Sequence, residues 1–147
     1  MEGTVKTTET SASAETVFDV AADLPSYPDW ASGVSSVEVL EETEDGLARR
    51  AEFEVEGFIK KIRYTLVYEY ERPSKISWTA EPGADIEEME GHYEFNELDD
   101  GGTEIVYALA VTPAFVVPGF LRRQAERQIV GSALRGLKKV AEEREAG

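Results

Sequence analysis

The chain contains no cysteine and only one histidine among its 147 residues. Without thiols it can form no disulfide, thiolate nucleophile or sulfur-ligated metal site, and a lone imidazole excludes sites that need two histidines. No apolar run reaches the roughly 18 residues that cross a bilayer, and the N-terminus lacks the basic and apolar regions of a secretory signal. We therefore predict a cytoplasmic protein without an integral membrane segment.

Positive charge is also scarce, since 15 Lys and Arg residues stand against 30 Asp and Glu residues, for a formal charge of −15. Such a chain repels phosphate backbones, so nucleic acid is not an expected partner. The charge is uneven: residues 113–147 carry seven basic and four acidic side chains, whereas residues 1–112 carry eight and twenty-six. This asymmetry predicts a basic C-terminal helix over an acidic sheet.

The hydrophobic period changes along the chain. Residues 4–11 are typical of a strand, and apolar residues at helical spacing follow Ser13, a candidate N-cap. Residues 23–30 contain two prolines and predict a short helix or an ordered loop. Residues 34–112 alternate with a period of two and contain turn signals that divide them into about six strands, before residues 118–143 return to helical spacing. The chain is therefore predicted to be one α+β domain, residues 1–147, with a curved antiparallel sheet of about seven strands.

Alternation within the strands assigns one face of this sheet to the interior. The predicted inward set includes Arg49, Phe53, Phe58, Tyr64, Tyr68, Trp78, Met89, Tyr93 and Tyr107. His92 falls on the opposite, acidic face, which argues against a catalytic role. Gly57 marks a further turn or a bulge. The acidic run from residue 85 to 90 alternates sides and predicts a solvated edge, so no metal site is expected.

The long helix is the only large element left to cover the inward face. Its apolar spacing predicts packing through Leu121, Ala125, Ile129 and Leu137, and Ile129→Ala would then cost about 2–5 kcal/mol. One helix covers a seven-stranded curved sheet incompletely. The remaining volume is either filled by aromatic side chains or left as a cavity, and the buried phenol and indole groups, which seek hydrogen-bond partners, favour the cavity.

A family resemblance enters at the N-terminal third of the chain. The segment SASAETVFDVAADLPSYPDW at residues 11–30, followed by VSSVEVL at residues 34–40, resembles the opening of the polyketide cyclase/dehydrase and lipid-transport group of the START-like (SRPBCC) superfamily. Members share a strand, two short helices, six strands and a long closing helix, known as the helix-grip fold. The same order is predicted here, so the resemblance covers nearly the whole chain and implies that fold.

The resemblance implies a cavity that binds a hydrophobic small molecule such as a lipid, a quinone or a polyketide, in a binding or transport role and without a cofactor. A second hypothesis is a polyketide aromatase/cyclase that acts by acid/base templating in the same cavity. A third is a protein-interaction module that docks through the acidic sheet or the basic helix face. Whether the chain is an enzyme stays open, as does the choice between a monomer and a homodimer.

A ring-closing site needs a polar group inside an apolar pocket, and Arg49 with Tyr64, Tyr93 and Tyr107 is the best such group of residues. The guanidinium would hold a carboxylate or enolate while a phenol donates to a carbonyl. The alternative has Arg49 turned towards solvent and the tyrosines packed as core. The full set of predicted ligand-binding residues is Arg49, Phe53, Tyr64, Tyr68, Trp78, Met89, Tyr93, Tyr107 and Ile129.

Two irregular segments are predicted to form a lid over the cavity. Residues 25–33 contribute Tyr27 and Trp30, and residues 113–120 contribute Phe115 and Phe120. Large apolar side chains on irregular backbone are costly to leave exposed, so the segments are expected to pack together and open to admit a ligand. The alternative is a permanently closed hydrophobic mini-core.

Overall fold

A single curved sheet organises the protein. The computed structural model describes residues 3–56 and 60–147. The strands are β1 (Thr4–Thr10), β2 (Val34–Glu42), β3 (Ala48–Glu56), β4 (Lys61–Glu71), β5 (Lys75–Ala80), β6 (Ile86–Glu97) and β7 (Thr103–Pro113), and the helices are α1 (Ala14–Ala22), α2 (Tyr27–Trp30) and α3 (Gly119–Ala146). All neighbouring strands are antiparallel in the order β1-β7-β6-β5-β4-β3-β2. The predicted α+β helix-grip architecture is confirmed.

The α1 helix packs on one end of the concave face. Its predicted N-cap is present, since the Thr16 N–H donates to Ser13 Oγ at 3.3 Å. The fully buried Phe18 ring meets Tyr70 and Phe95 edge-on at centroid distances of 6.1 and 6.2 Å. This end of the sheet is therefore a solid aromatic core.

The C-terminal half of α3 closes the same end. Its buried residues include Leu134, Leu137 and Ala141. The last turns are tied to the start of α1, because Glu145 accepts hydrogen bonds from the Ser13 N–H at 2.8 Å and the Thr16 hydroxyl at 2.6 Å. None of the helices in the described part of the chain is long and apolar enough to cross a membrane.

In the N-terminal half of α3 the predicted face lines the cavity instead of packing on the sheet, so the prediction of contact is wrong there. Leu121 and Ile129 are 38% and 43% exposed, whereas Leu137 is fully buried as predicted. The later turns pack on the sheet, whereas the earlier turns pass over open space and contact β1 and β7 through Glu126. Apolar residues of α3 fit the helical period on more than one side of the helix. Spacing alone could therefore not distinguish the side that packs on the sheet from the side that lies over the open space.

The inward faces of β4 to β7 are confirmed, but the inward position of Arg49 on β3 is wrong. Arg50 pairs with Glu41 while Ala48 pairs with Glu42, which leaves Arg49 between the two pairs. This irregularity interrupts the alternation, so Ala48 is buried and Arg49 is exposed. The predicted turn or bulge at 57 and the inward residue at 58 lie outside the described residues.

We predict that α3 contributes to stability mainly through its later turns. Leu137→Ala should lower the free energy of unfolding by about 2–5 kcal/mol, because it leaves a cavity in a packed core. Ile129→Ala should cost about 1 kcal/mol or less, because the side chain is already partly in solvent. Denaturant titration of both variants measures the difference, and equal losses would contradict this account of the helix face.

Candidate functional site

A cavity of about 550 Å³ lies between the early turns of α3 and the concave face of the sheet. Its walls are mostly apolar, with aliphatic side chains from β4, β6 and β7 and aromatic side chains from β3 to β7. The size and character match those of pockets that enclose drug-sized ligands. The alternative of an entirely filled interior is therefore excluded for this end of the sheet.

Eight of the nine predicted ligand-binding residues line this cavity. They are Phe53, Tyr64, Tyr68, Trp78, Met89, Tyr93, Tyr107 and Ile129. Arg49 is not among the lining residues, because the strand irregularity turns it to solvent. The geometry therefore brings the tyrosines together without the guanidinium that was expected beside them. Their binding of a ligand stays a prediction.

The rings at the inner wall form a continuous cluster. Tyr93 and Tyr107 lie 4.5 Å apart between ring centroids, and Trp78 lies 5.3 Å from Tyr93 and 5.7 Å from Tyr107. Gly91 makes room for the indole, since an added Cβ there would stand 2.6 Å from a Trp78 ring carbon. The rings of the cluster therefore pack against one another, and the missing side chain at Gly91 leaves the space that the indole occupies.

Four phenol hydroxyls in the cavity wall have no hydrogen-bond partner among the described residues: those of Tyr64, Tyr68, Tyr93 and Tyr107. In contrast, the Tyr27 hydroxyl donates to the carbonyl oxygen of Ala21. The four oxygen atoms are accessible from the cavity rather than sealed within the protein. These four groups are therefore available to whatever occupies the cavity.

Burial keeps these phenols protonated. It raises the pKa of Tyr64, Tyr68, Tyr93 and Tyr107 well above that of a free tyrosine, because the phenolate would lose its hydration. Neighbouring phenols raise the pKa of Tyr68 and Tyr107 further. At neutral pH all four groups are neutral hydrogen-bond donors.

The cavity also contains a charged pair that the sequence analysis missed. Arg122 and Glu126 of α3 both line it, and the guanidinium lies 2.9 Å from the carboxylate. Glu126 is only 2% exposed. One signal was present in the sequence: Glu126 is the sole acidic residue between 113 and 141, and it stands four positions after an arginine.

The predicted lid residues do not form one cluster. Tyr27 and Phe115 line the cavity, but Trp30 and Phe120 do not, and Phe120 is 63% exposed. Trp30 instead packs over Gly136, where an added Cβ would lie 2.6 Å from the Trp30 carbonyl oxygen. The bare backbone of this glycine accommodates the tryptophan against α3.

The outer face of the sheet carries the lone histidine and several ion pairs. His92 points outwards as predicted, with Nε2 3.2 Å from a Glu94 carboxylate oxygen. Asp85 pairs with Lys60 at 2.8 Å. Across residues 3–56 and 60–147, no three His, Asp or Glu side chains are grouped closely enough to hold a metal ion.

Solved structures share this fold. A START superfamily protein from Mycobacterium smegmatis is 23% identical with a TM-score of 0.79, over 98% of this chain and 97% of that one. The Zhui aromatase/cyclase from Streptomyces sp. R1128 is 19% identical with a TM-score of 0.84, over 97% and 94%. A STAR-related lipid transfer protein fragment from Xanthomonas axonopodis is 17% identical with a TM-score of 0.71, over 93% and 84%. At these identities the similarity establishes the fold.

No curated protein sequence matches the chain. The family described as polyketide cyclase / dehydrase and lipid transport, however, matches residues 1–142. This range includes every strand, the cavity and nearly all of α3. The chain therefore belongs to the polyketide cyclase/dehydrase and lipid transport family.

Proposed function

We propose that this protein binds a hydrophobic small molecule that carries hydrogen-bond-accepting oxygen atoms, in a binding or transport role. The observation that carries the proposal is the set of four cavity phenols whose hydroxyls have no acceptor among the described residues. An apolar molecule with carbonyl, ester or quinone oxygens would accept these hydrogen bonds while its remaining surface leaves water.

Lipids, quinones and polyketides all satisfy this chemistry. The family description includes lipid transport, which supports a carrier. The inner wall offers the neutral phenol donors, so it suits uncharged oxygen acceptors on the apolar part of a ligand. Among these classes the shape of the wall favours a ligand with at least one flat portion, because the inner surface is built from stacked and tilted rings.

Aromatase/cyclase activity is the second candidate, because phenols that donate to a ketone also polarise it. The family description and the likeness to a protein called an aromatase/cyclase support this candidate. Enolisation also requires a base near the substrate carbon. The lone histidine faces outwards, and the cavity carboxylate of Glu126 already accepts hydrogen bonds from Arg122 and the Val111 N–H. The available groups therefore favour binding over ring closure.

Access for the ligand is proposed between the end of the loop after α2 and the segment that joins β7 to α3. Ser32 and Gly33 line the cavity on one side, and Phe115 and Val117 line it on the other. Phe115 is half-buried with its ring centroid 5.2 Å from the Lys60 ammonium. In this proposal Phe115 and Val117 move aside, while Tyr27 stays in place as part of the wall.

We predict that the hydroxyl of Tyr93 contributes to ligand affinity rather than to folding. The probe is 2-dodecanone, an uncharged chain with one carbonyl, and isothermal titration calorimetry measures its binding. Tyr93→Phe should weaken binding about five- to tenfold, the equivalent of one neutral hydrogen bond. The free energy of unfolding should stay the same or rise slightly, because the hydroxyl has no partner in the described structure.

Tyr70→Phe is the matched control. Its hydroxyl donates to the carbonyl oxygen of Ala48 at 2.5 Å, and the residue does not line the cavity. This variant should lose about 0.5–1.5 kcal/mol of stability and keep its affinity for 2-dodecanone. Equal affinity in the wild type and in Tyr93→Phe would contradict the role of the phenols, and no binding by the wild type would argue against the proposed function.

We further predict that Trp78, not Trp30, reports on the cavity. The chain has two tryptophans, so Trp30→Phe and Trp78→Phe each leave a single fluorophore. On titration with 2-dodecanone, the emission of Trp78 should shift to shorter wavelength, because ligand replaces water beside the indole. The emission of Trp30 should stay within error, because Trp30 packs on Gly136 outside the cavity wall. A shift confined to Trp30 would restore the original lid hypothesis.

A further inference from the structure

The early turns of α3 present one ion pair to an otherwise apolar cavity. Arg122 and Glu126 stand four residues apart, and their side chains are 22% and 3% exposed. A charged pair in this position is costly to desolvate unless each partner is well bound. The two partners differ in how fully their hydrogen-bonding capacity is used.

The carboxylate of Glu126 is fully engaged. It accepts hydrogen bonds from the Val111 N–H at 2.9 Å, from Arg122 Nη1 at 2.9 Å and from the Thr4 hydroxyl at 3.3 Å. These bonds join α3 to β7 and β1. The carboxylate therefore fixes the position of the guanidinium and has little capacity left for a ligand.

The guanidinium of Arg122 is only partly engaged. Its Nη1 atom contacts Glu126 and the Val111 carbonyl oxygen, the latter at 3.5 Å. A guanidinium carries five N–H donors, and within the described residues neither Nε nor Nη2 has an acceptor. The side chain lines the cavity, so these donors are available to a ligand there.

The other charged groups of the wall do not compete for this position. Arg135 is exposed, and its Nη2 donates to the Ser132 hydroxyl at 3.4 Å. Glu56 is exposed and lies 3.7 Å from the Lys61 ammonium. Of the two arginines that line the cavity, Arg122 is thus the less exposed, and its Nη1 atom is held in place by Glu126.

We propose that Arg122, oriented by Glu126, is an anion subsite that binds the carboxylate of an amphiphilic ligand whose apolar part fills the cavity. This inference rests on the proposed function and makes it more specific. A guanidinium fork suits a carboxylate because it can donate two parallel hydrogen bonds, and partial burial strengthens them.

Calorimetric titration with dodecanoic acid and 1-dodecanol, which have equal chain lengths, tests the subsite. The wild type should bind the acid about tenfold more tightly than the alcohol at pH 8. Arg122→Gln should abolish this preference by weakening the acid alone. Arg123→Gln is the matched control, because that arginine is exposed and does not line the cavity, and it should keep the preference.

Removal of Arg122 alone leaves the buried Glu126 carboxylate without its cation, so that variant can fail to fold. The double variant Arg122→Gln/Glu126→Gln removes both charges together and keeps an amide oxygen to accept from the Val111 N–H. It should fold and bind acid and alcohol equally.

Persistence of the acid preference in this variant, or equal binding of the two probes by the wild type, would overturn the subsite while leaving hydrophobic binding intact. If the wild type bound neither these probes nor 2-dodecanone, the proposed function itself would fail and the subsite with it.

Discussion

The site depends on one constraint: a single helix cannot cover the whole concave face of a seven-stranded curved sheet. The later turns of α3, with Leu137 and Ala141 fully buried, join α1 and Phe18 in closing one end of that face. The earlier turns, with Ile129 partly exposed, extend over the other end without filling it. The same helix is therefore a core element at one end and a cavity wall at the other.

Hydrogen bonds at both ends keep α3 from collapsing onto the cavity. Near its C-terminus, Glu142 accepts from the Thr10 hydroxyl at 2.8 Å, and the next turn is bound to the start of α1. Near its N-terminus, Glu126 is bound to the Val111 N–H. An apolar cavity favours closure because its lining lacks contacts on one side. Fixed ends oppose that closure and preserve the volume in which a ligand can bind.

The cavity wall carries polar groups that a core selected only for folding would not need. Phenylalanine in place of Tyr64, Tyr68, Tyr93 or Tyr107 would fill nearly the same volume. Each tyrosine instead presents to the cavity a hydroxyl that has no acceptor among the described residues, so only water or a ligand can accept from it. Four such phenols are grouped around one cavity, and this departure from an apolar interior supports the proposal that the cavity binds a ligand.

The sequence by itself determined the elements, the antiparallel sheet, the inward faces of β4 to β7 and eight of the cavity residues. These features follow from periods of two and 3.6 residues, which depend on near neighbours in the chain. Three features needed the tertiary structure. Arg49 is exposed because of the way in which β3 pairs with β2. The packed face of α3 depends on where the helix meets the sheet. Arg122 lines the cavity because Glu126, which is bonded to β7 and β1, holds it there. Each of these results from pairing or packing between separate elements of the fold, about which the periodicity within one element contains no information.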